Sequence, residues 1–233
     1  MKIHTRQVGP LQNNVFVVTD DEGREGILVD PAWGSDALEG WVKGIGCDIL
    51  AILDTHGHFD HCFENALYRR LTGARLLVHR DDNAWLEQQG KQGTACGVEA
   101  PESPSADENV RDAQVLKLGC EEAHVFHCPG HTEGSTCLYV PAAVVAGNSS
   151  MADTSEKPEA RSPAPAVLTG DALFRGSIGR TDLPGGDFST LIKSIHSKIL
   201  TLPDETLVLP GHNDFSTVDE ERQTNPFLTG KHF

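Results

Sequence analysis

A run of possible metal ligands directly follows an apolar stretch, and this combination limits the folds open to the chain. Residues 49–53 (Ile-Leu-Ala-Ile-Leu) predict a buried strand. The next segment, Asp54-Thr-His-Gly-His-Phe-Asp-His61, holds three of the chain's 11 histidines, which argues against chance histidines in a polar loop. His56 and His58 alternate, so an extended chain points both imidazoles the same way, and Asp60 and His61 follow where a helix is expected to begin. Imidazole and carboxylate suit zinc, iron or manganese, so the run predicts a metal site.

Three later strands are each predicted to end in a tight turn that carries one more possible ligand. These residues are His131 in Pro-Gly-His, Asp171 in Thr-Gly-Asp and His212 in a second Pro-Gly-His. Glycine lets the backbone bend close to a site. Each of the three could be a plain turn residue. Together with the first four they make seven donors, which is enough for two metal ions that share a bridging ligand.

Alternating apolar segments predict a mixed α/β chain. Strands are predicted over 14–19, 26–30, 49–53, 74–78, 114–118, 124–128, 135–140, 166–169 and 206–209, and helices over 35–45, 81–89, 188–200 and from 220. A further helix is predicted to pack inward through Phe63, Leu67 and Leu71 and to end at Gly73. The metal-ligand run thus lies between the carboxyl end of a buried strand and a helix start, where open α/β sheets place their sites.

Two segments lack a clear periodic pattern. Residues 90–112 are polar and contain glycine and proline, which predicts a loop bordering the site. Residues 141–165 are rich in Ala, Ser, Pro and Glu and can bury little surface, which predicts a flexible insert. No other boundary is evident, so residues 1–233 are expected to form a single domain.

The net charge of the chain indicates which kinds of partner it attracts or repels. Lys and Arg number 19 and Asp and Glu 34, a formal net charge of −15 that repels nucleic-acid phosphates and anionic membranes. The sequence contains no run of ~18 apolar residues, so no membrane span is predicted. No secretory signal is evident at the start. The six cysteines form no CxxC pair, which fits a reducing compartment. A cytoplasmic protein with a small-molecule substrate is expected; the oligomeric state stays open.

The order HxHxDH, distant His, Asp, His resembles the metallo-β-lactamase superfamily over nearly the whole chain. The resemblance implies a four-layer αββα sandwich, in which two mixed sheets lie face to face with helices outside. It also implies two divalent metal ions, with zinc favoured and iron or manganese possible. One ion would be held by His56, His58 and His131, the other by Asp60, His61 and His212, with Asp171 as the bridge.

Within that superfamily the chain is similar to the small glyoxalase II-like hydrolases. The similarity lies in residues 170–187 (Gly-Asp-Ala-Leu-Phe-Arg-Gly-Ser-Ile-Gly-Arg-Thr-Asp-Leu-Pro-Gly-Gly-Asp) and 221–228. It implies attack of a metal-bound hydroxide on a thioester such as S-lactoylglutathione, with Asp60 as ligand and proton acceptor. Arg175 and Arg180 would meet an anionic substrate; structural pairing with nearby aspartates is the alternative. The acyl group and the thiol carrier stay open.

Other activities fit the same pattern. The persulfide dioxygenases share the Gly-Arg-Thr-Asp element at 179–182 and use one iron, here matching His56, His131 and Asp171. A nuclease or a lactonase on the same fold is a weaker alternative, and the net charge argues against a nuclease. A non-catalytic metal-binding protein is disfavoured by the complete ligand set. Four histidines outside this set are expected to be structural: His79, His124, His127 and His196.

Overall fold

The computed structural model describes residues 1–146 and 162–230, apart from the side chains of residues 35–37. The strands are β1 (Lys2–Val8), β2 (Asn13–Thr19), β3 (Glu25–Val29), β4 (Asp48–Leu53), β5 (Arg75–His79), β6 (Glu108–Val110), β7 (Val115–Leu118), β8 (Glu121–His127), β9 (Thr136–Ala146), β10 (Ala164–Gly170), β11 (Leu173–Phe174), β12 (Ser177–Ile178), β13 (Leu207–Pro210) and β14 (Ser216–Thr217). The helices are α1 (Ser35–Ile45), α2 (Phe59–Cys62), α3 (Asn65–Thr72), α4 (Asn83–Leu86), α5 (Gln89–Ala95), α6 (Phe188–Ser194) and α7 (Val218–Thr224). A 3₁₀ turn over Arg80–Asp82 precedes α4, and α6 continues as a π-helical turn over Ile195–Ile199. Within these ranges no helix has the length and apolar character to cross a membrane.

Twelve of the described strands form two sheet halves, and β11 and β12 pair with each other in a separate small sheet. The first half has the order β1-β2-β3-β4-β5-β6 and the second half β14-β13-β10-β9-β8-β7. The halves meet where Lys2–His4 pairs in parallel with Val144–Ala146. In the first half β3, β4, β5 and β6 are mutually parallel, so their carboxyl ends lie at one edge. The ligand run follows β4 at that edge.

The two halves pack face to face because alternate residues of each strand point to opposite sides. Leu53 and Leu77 of the first half share one core with Leu138 and Leu168 of the second. The outer face of the first half packs against helices through a core that includes Ile52, Leu76, Leu38 and Tyr68. The outer face of the second half packs against α6 and its continuation through Val167, Val208, Leu191 and Ile195. The predicted αββα sandwich is confirmed.

Strand β1 was not predicted. Its sequence, Lys-Ile-His-Thr-Arg-Gln-Val, has only two aliphatic residues, yet Ile3, Thr5 and Val8 are buried. The strand pairs with β2 over its whole length. Pairing with β2 on one side and with β9 on the other therefore holds the strand in place, rather than an apolar sequence pattern.

The loop predicted over 90–112 contains a helix and a strand. Helix α5 begins at Gln89 although Gly90 and Gly93 disfavour helix, and β6 pairs with β5. A β-carbon built at Gly93 would lie 2.5 Å from that of Ala100. Close contact between the helix and the following chain thus explains one of the glycines.

The predicted flexible insert, residues 141–165, is partly wrong. Strand β9 continues through Ala146, and β10 already begins at Ala164. Ala164 pairs with Ala143, so both ends of the segment belong to the sheet. The central residues, 147–161, lie outside the described part of the chain.

The predicted inward face of α3 is rotated by one position. Tyr68 is 1% exposed and packs against the sheet, whereas Leu71 is 44% exposed. Cys62, Asn65 and Tyr68, spaced three apart, are the buried residues of this region. The larger aromatic side chain takes the core position, and Leu71 faces outward.

Candidate metal centre

All seven predicted ligands converge at the edge where the strands end. His56 and His58 follow β4, and Asp60 and His61 lie on the short helix α2. The other three come from the second sheet half: His131 follows β8, Asp171 follows β10 and His212 follows β13. Residues separated by more than 150 positions therefore contribute to one cluster; within it, Nε2 of His61 and Nε2 of His212 lie 3.1 Å apart.

Three histidines form a first group. His56, His58 and His131 are all buried, and one nitrogen from each lies within 4.8 Å of the others. The Nδ1 atom of His58 and the Nε2 atom of His131 are 2.9 Å apart. Zinc–nitrogen bonds are ~2.0–2.1 Å long, so two ligands of one ion lie about 3 Å apart. The group has the spacing of a single metal's ligands.

Asp60, His61 and His212 form a second group of the same dimensions. Asp60 Oδ2 lies 3.4 Å from Nε2 of both His61 and His212. It also accepts a hydrogen bond of 3.0 Å from Nδ2 of Asn13.

Asp171 lies between the two groups. Its Oδ1 atom is 3.4 Å from His61 Nε2, and its Oδ2 atom is 3.8 Å from His131 Nε2 and 3.6 Å from His212 Nε2. One carboxylate thus reaches ligands of both groups, which is the position that a bridging ligand requires.

The nitrogen that faces away from the centre is bonded to the protein in four of these imidazoles. Two of them donate to backbone carbonyl oxygens: His131 Nδ1 to Arg180 (2.8 Å) and His212 Nδ1 to Leu11 (3.0 Å). The other two donate to side-chain oxygens: His61 Nδ1 to Asp30 Oδ2 (3.0 Å) and His56 Nδ1 to Thr55 Oγ1 (3.1 Å). Histidines that bind metals characteristically have such partners, which fix the ring and leave the other nitrogen free. Within the described chain, His56 Nε2 and Asp171 Oδ1 are buried without a hydrogen-bond partner. The donor set fits a metal centre.

The electrostatics differ between the groups. Burial and the neighbouring imidazoles hold the pKa of His56 well below its usual range, and burial and His131 lower the pKa of His58 to about 4. Both rings are therefore neutral and able to ligate at neutral pH. Burial alone would lower the pKa of His61, but the carboxylates of Asp171, Asp60 and Asp30 raise it to about 10. Burial alone would raise the pKa of Asp60, but His61, His212 and Asn13 hold it well below its usual range.

Asp30 supports both groups and was missed in the sequence, where Asp30-Pro31 indicated only the end of a hairpin. Its Oδ1 accepts from the backbone N–H of Thr55 (2.7 Å), and its Oδ2 accepts from Thr55 Oγ1 (2.7 Å) and from His61. Asp30 is buried and has a φ of 50°, a left-handed conformation that Asp tolerates better than most residues. An aspartate directly after a buried parallel strand was the available signal.

Asp82 joins the loops that carry the three histidines, although the sequence suggested only a helix cap. Its carboxylate accepts from the N–H of Gly57 (2.8 Å), the N–H of Gly134 (2.7 Å) and Thr132 Oγ1 (2.7 Å). The side chain is fully buried, and burial raises its pKa. It therefore fixes the HxH loop relative to the loop of His131.

Aromatic side chains flank the centre on two sides. The Trp85 ring lies edge-on to His58 at a centroid distance of 5.2 Å, and Phe174 lies 6.2 Å from His212. The predicted substrate contacts are already paired: Arg180 forms two 2.7 Å hydrogen bonds to Asp182, and Arg175 bonds Glu220 at 3.0 Å. Both arginine side chains are exposed. Their role in substrate binding stays a prediction.

Comparison with known proteins identifies the family. The model of the metallo-β-lactamase superfamily matches residues 8–146 and 164–212, a span that includes every proposed ligand. This chain belongs to the metallo-β-lactamase superfamily. The family resemblance drawn from the HxHxDH, His, Asp, His order is therefore confirmed.

Two relatives of this metallo-β-lactamase superfamily protein match it over nearly their full length. It is 35% identical to a probable metallo-hydrolase, YqgX, of Bacillus subtilis, over 99% of each chain. It is 29% identical to the hydroxyacylglutathione hydrolase GloC of Haemophilus influenzae, over 99% of this chain and all of the relative.

Two solved structures are similar throughout. The B3 metallo-β-lactamase BLEG-1 has a TM-score of 0.81 and 34% identity, covering 98% of this chain and all of that one. TTHA1623 in a di-iron-bound form has a TM-score of 0.78 and 32% identity, covering 96% of this chain and 99% of that one. Together with the donor set, these relatives support a metal-dependent hydrolase.

Proposed function

We propose that this protein hydrolyses thioesters of small thiols, of the S-lactoylglutathione type, at a centre of two divalent metal ions. The observation that carries the proposal is the position of Asp171 between two complete ligand groups. A purely structural zinc site is closed by four ligands. Here seven donors converge at the rim where strands end, a position that open α/β sheets use for substrates.

The chain's residues would hold one ion at His56, His58 and His131 and the other at Asp60, His61 and His212. Zinc bound there would acidify a water molecule to a pKa of ~7 and polarise the acyl carbonyl. Among the described residues, imidazole and carboxylate supply every proposed ligand, and iron and manganese accept the same types. The similar protein TTHA1623, solved in a di-iron-bound form, supports iron as the alternative to zinc.

Asp60 serves this chemistry because it is ionised. His61, His212 and Asn13 outweigh the effect of burial and keep its pKa low, so its carboxylate carries a full charge at neutral pH. An ionised carboxylate can act both as a ligand and as a proton acceptor. Asn13 orients it through the 3.0 Å hydrogen bond to Oδ2.

The thioester substrate class is supported by the GloC relative, whose name assigns it hydroxyacylglutathione hydrolysis and which aligns over its whole length. The proposed substrate is a small molecule, and a net charge of −15 gives no attraction to nucleic acid or anionic membranes. We place this activity in the cytoplasm.

A second candidate is persulfide oxidation at a single iron. The three ligands that this reaction needs, His56, His131 and Asp171, are also adjacent here: the His56 and His131 rings lie 4.8 Å apart, and Asp171 Oδ2 is 3.8 Å from His131 Nε2. β-Lactam hydrolysis is a further candidate because BLEG-1, 34% identical, is named a B3 metallo-β-lactamase.

The test is a parallel assay of the purified protein with its metal content measured. We expect release of thiol from S-lactoylglutathione, no oxygen uptake with glutathione persulfide and no opening of a chromogenic cephalosporin. His58→Ala and Asp60→Ala should abolish thiol release while retaining the circular dichroism spectrum of the folded protein. His124→Gln is the matched control, because this partly buried histidine lies on β8 away from the centre.

Oxygen uptake without thioester cleavage would replace the proposal with the dioxygenase. Cephalosporin cleavage alone would replace it with a β-lactamase. Equal turnover by wild type and His58→Ala would reject the centre itself.

A further inference from the structure

A third group of potential ligands lies outside the proposed catalytic centre. His79 at the end of β5, Asp81 in the following 3₁₀ turn and His127 at the end of β8 each offer one donor atom within 4.8 Å of the others. The rings of His79 and His127 are stacked, with centroids 4.0 Å apart and planes within 10°. Both histidines were predicted to be structural, but their position beside Asp81 also suits them to bind a metal ion.

His127 has a ring nitrogen free to bind a metal ion. His127 Nε2 donates to the carbonyl oxygen of Glu133 at 2.9 Å, which leaves the lone pair on Nδ1. This is the same arrangement that orients four histidines of the main centre. The backbone N–H of His127 is separately bonded to Asp112, so the end of the strand is fixed on two sides.

His79 is bonded only weakly. Its side chain accepts one described hydrogen bond, from the N–H of Asp81 at 3.4 Å, beyond the usual range of ~2.7–3.2 Å. Asp81 Oδ2 lies 3.5 Å from the same Nδ1 atom. The His79 imidazole is thus nearly buried, makes one long hydrogen bond and lies beside a carboxylate, an arrangement that could bind a metal ion.

We infer that His79, Asp81 and His127 form a second binding site, on the protein surface, for a divalent transition-metal ion such as Zn²⁺. Two imidazoles and one carboxylate suit zinc and leave coordination positions for water. Binding requires the donors to approach to about 3 Å from one another, so the rings tilt out of their parallel stack. Asp81 is exposed and His127 is partly exposed, which leaves room for this movement.

The location gives the site a structural consequence. Asp82, next to Asp81, holds the N–H groups of Gly57 and Gly134, and His127 holds the carbonyl of Glu133. An ion bound here would connect the ends of β5 and β8 from outside the catalytic centre. It would therefore brace the two loops that carry the three-histidine group.

The test is equilibrium dialysis of the purified, metal-containing protein against Zn²⁺ at about 0.1 mM, within the range of specific binding. Total zinc per chain is then measured by elemental analysis. Wild type is expected to hold one more zinc per chain than His127→Gln or Asp81→Ala, and zinc should raise the melting temperature of wild type more than that of either variant. The exposed His196→Gln is the control and should match wild type.

Anomalous diffraction at the zinc edge locates the ion and should place a peak among the three side chains. If His127→Gln fails to fold, the exposed Asp81→Ala variant decides the question. The inference is overturned if Asp81→Ala holds as much zinc as wild type, or if the additional zinc lies elsewhere.

Discussion

Nδ1 of His61 lies 3.0 Å from Oδ2 of Asp30, and this contact determines which nitrogen of His61 faces the proposed metals. The same carboxylate oxygen accepts from Thr55 Oγ1, whose oxygen is the partner of His56 Nδ1. Asp30 thus orients one ligand of each group, directly in the second and through a hydroxyl in the first.

Asp30→Asn is predicted to weaken metal binding at the second group by about 10–100-fold, the usual effect of removing such a partner. The amide keeps the shape and tolerates the φ of 50° but places an N–H group where His61 needs an acceptor. The first group should retain its metal because the Thr55 hydroxyl can rotate. The metal content that remains after dialysis against increasing concentrations of chelator measures metal binding at both groups.

The control for that variant is Asp54→Asn. Asp54 is also buried at a strand end, and burial raises its pKa well above the usual range; its described side-chain hydrogen bond comes from Asn65 Nδ2 (2.7 Å) and not from a proposed ligand. Metal retention should be unchanged there. Equal retention by Asp30→Asn and wild type would contradict the orienting role of Asp30.

Asp82→Ala is predicted to lower the free energy of unfolding by about 1–3 kcal/mol or more, because one buried donor left unpaired already costs that much. The variant removes the acceptor of Gly57 and Gly134, so metal binding by the three-histidine group should also weaken. Urea denaturation and metal analysis check the two effects. Asp81→Ala should stay within about 0.5 kcal/mol of wild type; similar stabilities for both variants would refute the prediction.

Gly211→Ala should disrupt the centre by direct crowding. A β-carbon at residue 211 would lie 2.6 Å from Asp171 Oδ1 and 2.7 Å from His61 Cε1. Displacing the side chain of Asp171 or His61 by about 1 Å is expected to reduce kcat about 100-fold. Gly40→Ala, in α1 with open space around it, should instead stabilise the protein by about 0.5–1 kcal/mol. Full activity of Gly211→Ala would show that the centre tolerates a methyl group between Asp171 and His61, contrary to these distances.

The metal-free protein is predicted to lose stability at alkaline pH. The pKa of His61 is about 10 in the folded protein and ~6.5 when unfolded, so folding favours its protonated form. That stabilisation is complete below about pH 6.5 and is lost as the pH rises towards 10. Urea denaturation after chelation should show a steeper decline for wild type than for His61→Gln. Parallel pH profiles would contradict this assignment.

The ligands could be predicted from the sequence because their chemistry is local: each follows an apolar strand and carries a nitrogen or oxygen donor. Asp30 and Asp82 could not, because their partners lie 25 to 52 positions away, and the position of Asp30 after a buried strand does not by itself identify those partners. Each looks like an ordinary turn or cap residue until the strands are placed side by side.

The fold shows the same limit. The αββα arrangement followed from family resemblance and strand order, whereas β1 and α5 were missed because tertiary packing overrides weak local preference. In α3 the leucine pattern suggested the wrong face, since Tyr68 has more surface to bury than Leu71. Periodicity alone does not rank competing faces.

Crystallographic anomalous scattering from the purified protein decides whether two metal ions share the Asp171 carboxylate. We expect two metal peaks, one contacted by His56, His58 and His131 and the other by Asp60, His61 and His212, with Asp171 in contact with both. A single peak with the second group empty at full metal supplementation, or metal bound away from Asp171, would contradict the two-metal centre.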